Sequence, residues 1–453
     1  MRRLCLLLLL SSSIAWAAEA PLRLAGSNTL GAAVLPTLVR GWLAGQGASD
    51  IRTQVSPVLN EVAITARGAD GQPLRVEIAA HGTQTGFEAL ASARADLAAA
   101  SRPLDAATAE RLQALGDLRS AEAEHVIGLD AVAVVVHPAN PLKALSLDQL
   151  TAVFAGRLTH WAQLGLPGGE IHVLARDARS GTFETFRTVV LDDSSAALTT
   201  HAKRFESNEA LVAQVANDRQ AIGFSSLAVV RHAKVLAIAD GSAAALLPSP
   251  TSVANEDYPL TRRLYVYQPT SVQRPMARAL VAFMQSPAGQ AIVARQGFVS
   301  QQVLALPTRR AGKVPPRYQA LQDNALRLNV SLRFQPSSAT LDNKALRDVQ
   351  RIAAYVRGRG AGTTPVTLVG FGDPKQAPGR AALLSRLRAM AVRRALARTG
   401  VEVRDVLGLG DQLPVADNAR ANGRQRNRRV EVWVRWGGAK EAFVNERPAG
   451  KTL

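Results

Sequence analysis

Short apolar runs alternate with helical patterns along residues 21–304. Residues 132–136 form one continuous apolar run of strand length, and residues 280–283 lie within a segment of helical periodicity. Chains in which strands and helices alternate in this way fold as α/β domains. We therefore predict an α/β domain over residues 19–304.

The pattern changes near residue 326. Residues 326–334 alternate between apolar and polar positions, which predicts a strand with one buried face. Proline, glycine and basic residues at 307–316 predict a linker before it. Further elements are predicted as a helix at 343–357, a strand at 366–371, a helix at 383–398 and a strand at 429–436. The predicted organisation is therefore a linker at 305–325, a small α+β domain at 326–436 and a polar tail at 437–453.

The first residues have the pattern of an export signal. Arg2 and Arg3 precede an apolar stretch, and residues 15–17 read Ala-Trp-Ala, a small-residue cleavage site. A membrane anchor is the alternative, but the apolar run is too short to span roughly 30 Å of hydrocarbon. We predict a signal peptide at residues 1–18 and a periplasmic mature protein. Cys5, the only cysteine, lies within this signal, which excludes disulfides from the mature chain.

The net charge of the chain indicates which kinds of binding partner it favours. The chain has a formal net charge of +18, and the residues from 326 onward carry 24 Lys and Arg against 10 Asp and Glu. This excess favours acidic partners such as an anionic envelope surface, although a solvated basic surface would look the same. An exported chain with 5% aromatic residues offers little for stacking bases, so no nucleic acid is expected.

Residues 176–182 read Arg-Asp-Ala-Arg-Ser-Gly-Thr and precede a helical pattern that begins at Phe183. Ser180, Gly181 and Thr182 would place hydroxyls and backbone N–H groups at a helix start, where anions bind. Arg176 could bind two oxygens of an oxyanion as a fork. An ordinary helix cap is the alternative, because serine and threonine favour that position in all proteins.

A longer series of motifs resembles the phosphate-binding proteins of ABC importers. These motifs lie, in chain order, at residues 26–30, 96–104, 130–141, 145–150, 153–156, 221–224, 289–293 and 297–299. The resemblance covers roughly residues 21–300. It implies a two-lobe periplasmic-binding-protein (type II) fold that closes over phosphate or a similar oxyanion.

The resemblance also implies which residues bind the ligand. They are Ser27, Asn28 and Thr29 on the first turn, Thr83 on a second turn, Ser101 and Arg102 on a third, and Arg176, Ser180, Gly181 and Thr182 as the central clamp. The family's high-affinity members have an Asp where this chain has Ser101, and that carboxylate accepts the proton of hydrogen phosphate. We therefore expect phosphate to be less favoured over sulfate than in a relative that has this Asp. Arg102 is expected either to contact the ligand or to form an ion pair between the lobes.

No motif points to an enzyme. The seven histidines form no metal-binding pair such as His-Glu-x-x-His, and neither a Gly-x-Ser-x-Gly elbow nor a glycine-rich nucleotide loop is present. We expect no catalytic residues, no cofactor and no metal.

The last part of the chain resembles the OmpA-like peptidoglycan-binding domain. The motifs are a strand-end turn at 370–373, the helix residues 384–389, and a late Asn-Arg-Arg at 427–429 before an alternating strand. In that family an Asp and an Arg bind the diaminopimelate of the wall peptide, and Asp373 and Arg388 match them. The chain departs from the family at Phe371, usually His, and at Ala381, usually Asn, so binding is expected to be weaker or altered.

Together these features predict a periplasmic solute-binding protein that captures phosphate or a related oxyanion and is anchored to peptidoglycan. An ABC importer permease is a possible further partner. The alternative is a structural or sensory envelope protein whose first domain binds a protein or another ligand.

Overall fold

The computed structural model describes residues 20–435, except for 33, 179, 192–194, 273, 309–311, 337, 360–364 and 378. The predicted signal peptide and polar tail lie outside the described residues. The strands are β1 Leu22–Gly26, β2 Ser49–Val55, β3 Glu61–Arg67, β4 Pro73–Ala79, β5 Leu97–Ala100, β6 Glu124–Val136, β7 Ala144–Ser146, β8 His172–Arg176, β9 Lys203–Phe205, β10 Ala221–Ser226, β11 Lys234–Val235, β12 Ala237–Ala239, β13 Thr261–Tyr267, β14 Ala305–Leu306, β15 Leu326–Arg333, β16 Val366–Gly370, β17 Val403–Gly408 and β18 Arg429–Val434. The α-helices are α1 Asn28–Gly31, α2 Val34–Gly45, α3 Thr83–Ala91, α4 Ala106–Arg111, α5 Leu147–Phe154, α6 Gly181–Phe186, α7 Asn208–Asn217, α8 Pro250–Ala254, α9 Pro275–Gln285, α10 Pro287–Arg295, α11 Pro316–Asn324, α12 Asn343–Arg357, α13 Arg380–Ala397 and α14 Ala421–Asn427.

The first domain is built on one long mixed sheet. Its strands follow the order β2-β3-β4-β1-β5-β13-β6-β10-β8-β9. The long strand β6 pairs with β13 on one side and with β10 on the other, so it passes through both halves of the sheet. We call β1–β5, β13, α1–α4, α9 and α10 the first lobe, and β7–β12 with α5–α8 the second lobe. Separate apolar cores fill the two lobes, and β6 contributes to both. This arrangement confirms the predicted two-lobe α/β fold.

The C-terminal domain is a five-stranded sheet with the order β14-β15-β18-β16-β17. Helices α12 and α13 bury Val349, Ile352 and Val392 against Leu328 and Val432 of this sheet. The predicted helix at 343–357 is confirmed as α12, which begins where Asp342 accepts a hydrogen bond from the Ala345 backbone at 2.7 Å.

The segment predicted as a linker carries structure of its own. It contains the edge strand β14 and the helix α11, and Tyr318 of α11 packs edge-on against Trp433 with 5.4 Å between ring centroids. The segment between the domains is therefore part of the C-terminal core, at least at its described residues.

The prediction that β15 buries only one face is wrong. Every residue of β15 after Leu326 is buried, including Arg327 and Arg333. The polar face packs against the first domain, where Arg327 pairs with Asp257 at 3.1 Å and Arg333 pairs with Glu256 at 3.3 Å. A polar face that meets acidic groups is buried as effectively as an apolar one.

The C-terminal domain contacts both lobes of the first domain. Arg347 donates hydrogen bonds to the Ala121 carbonyl and, at 2.6 Å, to the Glu124 carbonyl, both next to the first lobe. Arg426 pairs with Asp240 of the second lobe at 2.8 Å. Among the described residues, no helix combines the length and the apolar character needed to cross a membrane.

Candidate functional site

A cleft of about 760 Å³ lies between the lobes. Asn28 and Thr29 line it from the first lobe, and Arg176, Ser180 and Ser226 line it from the second. The predicted first turn and the predicted central clamp therefore face one cavity.

Ser180 caps helix α6. Its Oγ accepts hydrogen bonds from the backbone N–H groups of Thr182 at 3.2 Å and Phe183 at 3.4 Å. The hydroxyl accepts these bonds through oxygen lone pairs, so its own hydrogen can still be donated to a ligand. Ser180 therefore both caps helix α6 and lines the cleft.

Arg176 is buried at the end of β8 and donates hydrogen bonds to the end of β9 and to the residues after it. Its guanidinium donates to the Phe205 carbonyl at 3.2 Å, to the Glu206 carbonyl at 2.5 Å and to Asn208 Oδ1 at 2.5 Å. Burial lowers the pKa of Arg176, and the nearby charge of Asp177 acts in the opposite direction. The fork predicted to bind an oxyanion thus contacts protein oxygens in this structure.

The hydroxyl groups of the second and third predicted turns meet each other. Thr83 Oγ1 lies 3.3 Å from Ser101 Oγ and accepts a hydrogen bond from the Ser101 backbone at 3.1 Å. A Cβ atom placed on Gly181 would lie 2.1 Å from Ser101 Oγ, so the two lobes touch at this point. Ser27 Oγ is buried and has no hydrogen-bond partner among the described residues. Thr29, Ser180, Ser207 and Ser226 place hydroxyl groups on the cleft wall, whereas Ser27, Thr83, Ser101 and Thr182 are buried beside it.

Arg102 forms an ion pair between the lobes. Its Nε lies 2.5 Å from Glu184 Oε1 of helix α6, across the cleft. The same guanidinium pairs with Asp105 at 3.0 Å and donates to Gln84 at 3.1 Å. These contacts connect the lobes, and they pair the positive charge of Arg102 with carboxylates of the protein.

Two charged residues behind the cleft-lining side chains Thr29 and Ser226 were not predicted from the sequence. Arg262 of β13 pairs with Asp130 of β6 at 2.6 Å, and both side chains are almost fully buried. Arg262 Nη2 also lies 3.2 Å from both Thr29 Oγ1 and Thr182 Oγ1. Asp130 accepts a further bond from Ser226 at 3.0 Å. Asp130 is the first residue of the motif at 130–141, but no local pattern in the sequence indicates its pairing with Arg262.

The predicted wall-binding residues lie next to each other on the C-terminal domain. Asp373 is buried after β16 and pairs with Arg428 at 2.8 Å and with Lys375 at 2.6 Å. A Cβ atom on Gly372 would lie 3.2 Å from Arg388 Nη1, so this guanidinium is adjacent to the Asp373 turn. Burial alone would raise the pKa of Asp373, but the bonds from Arg428 and Lys375 hold it well below its usual range. Burial and the charge of Arg428 lower the pKa of Arg388.

Comparison with known families agrees with this architecture. The model of the PBP superfamily domain matches residues 47–288, which is more than half of the chain. The chain belongs to the PBP superfamily. The OmpA family model matches residues 333–428, so the PBP superfamily domain is followed by an OmpA family domain.

The curated relatives match about half of the chain. Protein SphX of Synechococcus elongatus is 28% identical over 229 residues, which cover 48% of this chain and 66% of SphX. The phosphate-binding protein PstS of Pseudomonas aeruginosa is 26% identical over 244 residues, covering 50% of this chain and 74% of PstS. The crystal structure of an ABC-type phosphate transport receptor from Vibrio cholerae is 20% identical, with a TM-score of 0.48, and covers 61% of this chain and 99% of the receptor.

No group of three or more histidine, cysteine or acidic side chains that could hold a metal ion occurs within the described residues.

Proposed function

We propose that this protein captures phosphate or a related oxyanion in the periplasm and is held at the cell wall by its OmpA family domain. Residues 1–18 act as its signal peptide, and the ligand is bound without chemical conversion. One observation carries the proposal: hydroxyl groups from both lobes line the cleft between them. Delivery of the ligand to an ABC importer permease stays a prediction.

The geometry supports oxyanion binding in physical terms. The predicted ligand residues are the hydroxyl and amide side chains of Ser27, Asn28, Thr29, Thr83, Ser101, Ser180 and Thr182, together with Gly181 and Arg176. Several fixed donors in a preorganised cleft reduce the entropy that is lost on binding. We assign Arg102 to closure of the lobes, because its partner Glu184 lies on the opposite lobe. The names of the relatives support this function over a structural or sensory role.

Gly181 offers a direct test, because the lobes meet there. Replacement by Ala leaves helix α6 intact but places a Cβ 2.1 Å from Ser101 Oγ, which must then leave its position beside Thr83. We expect the wild-type chain to bind inorganic phosphate and Gly181→Ala to bind it at least about tenfold more weakly. Isothermal titration calorimetry on the full chain measures both.

Two further variants make this test specific. Ser101→Ala combined with Gly181→Ala leaves a Cβ contact of 3.5 Å and should recover part of the lost affinity. Gly169→Ala, where a Cβ meets nothing within 4 Å, should bind as the wild type does. Absence of binding of phosphate and sulfate by the wild type would refute the proposed function.

The wall-binding part of the proposal rests on Arg388. Its guanidinium lies beside the Asp373 turn. Within the described part of the chain, it forms no hydrogen bond or ion pair. We expect Arg388→Met to reduce sedimentation with diaminopimelate-containing peptidoglycan at raised salt, where nonspecific attraction is screened. Arg393→Met, at an exposed position of the same helix, is the charge-matched control. Equal loss in both variants would mean that only the overall positive charge binds the wall.

A further inference from the structure

Arg262 is held on one side by Asp130. The two residues are directly paired between β13 and β6. Asp130 Oδ2 accepts hydrogen bonds from Arg262 Nε at 3.0 Å and from Nη2 at 2.6 Å. The Arg262 side chain is only 3% exposed, and the Asp130 side chain 1%. The edge of the guanidinium formed by Nε and Nη2 is therefore fixed.

The other edge of this guanidinium points to the hydroxyl groups of the cleft. Nη2 uses its second N–H toward Thr29 Oγ1 and Thr182 Oγ1, both at 3.2 Å. Nη1 is buried and has no hydrogen-bond partner among the described residues. Because the guanidinium is planar, the outer N–H of Nη1 runs parallel to the second N–H of Nη2. Nη1 thus directs a donor toward the same side as the two hydroxyls.

Because Arg262 donates to the hydroxyl oxygens of Thr29 and Thr182, both hydroxyl groups can donate their own hydrogens to a ligand. Each accepts a bond from Arg262, so its own hydrogen is available to another acceptor. Thr29 belongs to the first lobe and Thr182 to the second, so Arg262 joins them behind the cleft wall. We propose that Arg262 is a second anion-binding guanidinium, which binds an oxyanion through Nη1 and orients the hydroxyls of Thr29 and Thr182. This inference rests on the proposed oxyanion-binding function.

The electrostatics of the cleft support this assignment. Burial lowers the pKa of Arg176, Asp177 acts against this, and the charge of Arg262 lowers the pKa further. The two guanidinium groups are thus close enough to repel each other, and an oxyanion near both would relieve this repulsion. Asp130 balances the Arg262 charge while no anion is bound.

Changing the two partners separately distinguishes a binding role from a structural one. Asp130→Asn keeps the size of the side chain but removes the balancing charge, so we expect phosphate to bind about threefold tighter or more at low salt. The double variant with Arg262→Met and Asp130→Asn has no unpaired buried charge and tests the loss of the guanidinium. We expect it to bind phosphate about tenfold more weakly than the wild type, or worse. Calorimetry on the full chain with inorganic phosphate and with sulfate measures the affinities, and thermal unfolding without anion checks folding.

The outcomes separate the hypotheses. Opposite changes in the two variants support a guanidinium that contacts the anion. Weakening by Asp130→Asn in a folded protein, or wild-type affinity in the double variant, would overturn the inference while leaving the proposed function intact. If Asp130→Asn does not fold, the double variant decides alone. A wild-type chain that binds neither anion would refute the proposed function itself.

Discussion

At the proposed wall-binding surface, the carboxylate of Asp373 is already paired with cations of the chain itself. Lys375 places its ammonium 2.6 Å from Asp373 Oδ2, and Arg428 contacts both carboxylate oxygens. A diaminopimelate ammonium approaching Asp373 must displace or share these partners. Lys375, with its side chain 28% exposed, is the one that can leave at least cost in solvation.

Lys375→Met should therefore strengthen binding of a soluble diaminopimelate-containing wall peptide by roughly threefold to tenfold. The substitution removes the competing ammonium and leaves Arg428 to keep Asp373 ionised. Calorimetry with the purified peptide measures the change, and Lys313→Met, at an exposed lysine outside the OmpA family domain, serves as the charge-matched control. Weaker binding by Lys375→Met alone would mean that Lys375 itself contacts the peptide.

At the scale of elements, the spacing of apolar residues predicts where a helix or strand lies, but it does not predict what the polar face of that element contacts. The positions of β15, α12, α13 and β18 follow from apolar periodicity, because one face of each packs on the C-terminal core. The partner of a polar face does not follow, since alternating arginines look the same beside solvent and beside acidic groups. The helix α11 was missed because only Tyr318 and Leu321 of its residues are buried, which is too few to form a periodic stripe.

The same distinction explains what was predictable at the cleft. Ser180, Gly181 and Thr182 are neighbours in sequence, so a helix start could be inferred from their spacing, although their contact with ligand stays a prediction. Asp130 and Arg262 are 132 residues apart and meet only because β6 pairs with β13. Without a predicted strand register, no local pattern indicates such a pair.

At the scale of the whole molecule, the OmpA family domain is docked and not merely tethered. Its arginines contact both lobes, and a carboxylate at this interface, Glu256, contacts Arg263 and Arg333. Burial alone would raise the pKa of Glu256, but the charges of Arg263, Lys344 and Arg333 hold it well below its usual value. The stability that Glu256 contributes is therefore present at neutral pH and decreases as the pH falls below about 4.5.

His125 makes the same interface sensitive to acid at a higher pH. Arg347 of the OmpA family domain donates to His125 Nδ1 at 3.0 Å. Burial, and then the charge of Arg347, lower the pKa of His125 from 6.5 to about 4. The unfolded chain therefore binds a proton at this residue before the folded chain does. Stability is lost as the pH falls from 6.5 toward 4, and no further loss from this residue follows once both states are protonated.

Replacing His125 by Gln should make the protein less sensitive to acid. Between about pH 7 and pH 4.5 we expect the free energy of unfolding of the wild type to fall by on the order of 2 kcal/mol more than that of His125→Gln. Urea unfolding of the full chain at both pH values measures this difference, and His201→Gln, at an exposed histidine of the second lobe, is the control. A parallel fall in all three proteins would show that His125 is protonated in the folded state at pH 4.5. Arg347 could not then be holding a neutral imidazole, and the acid response of the docked domain would belong to its carboxylates alone.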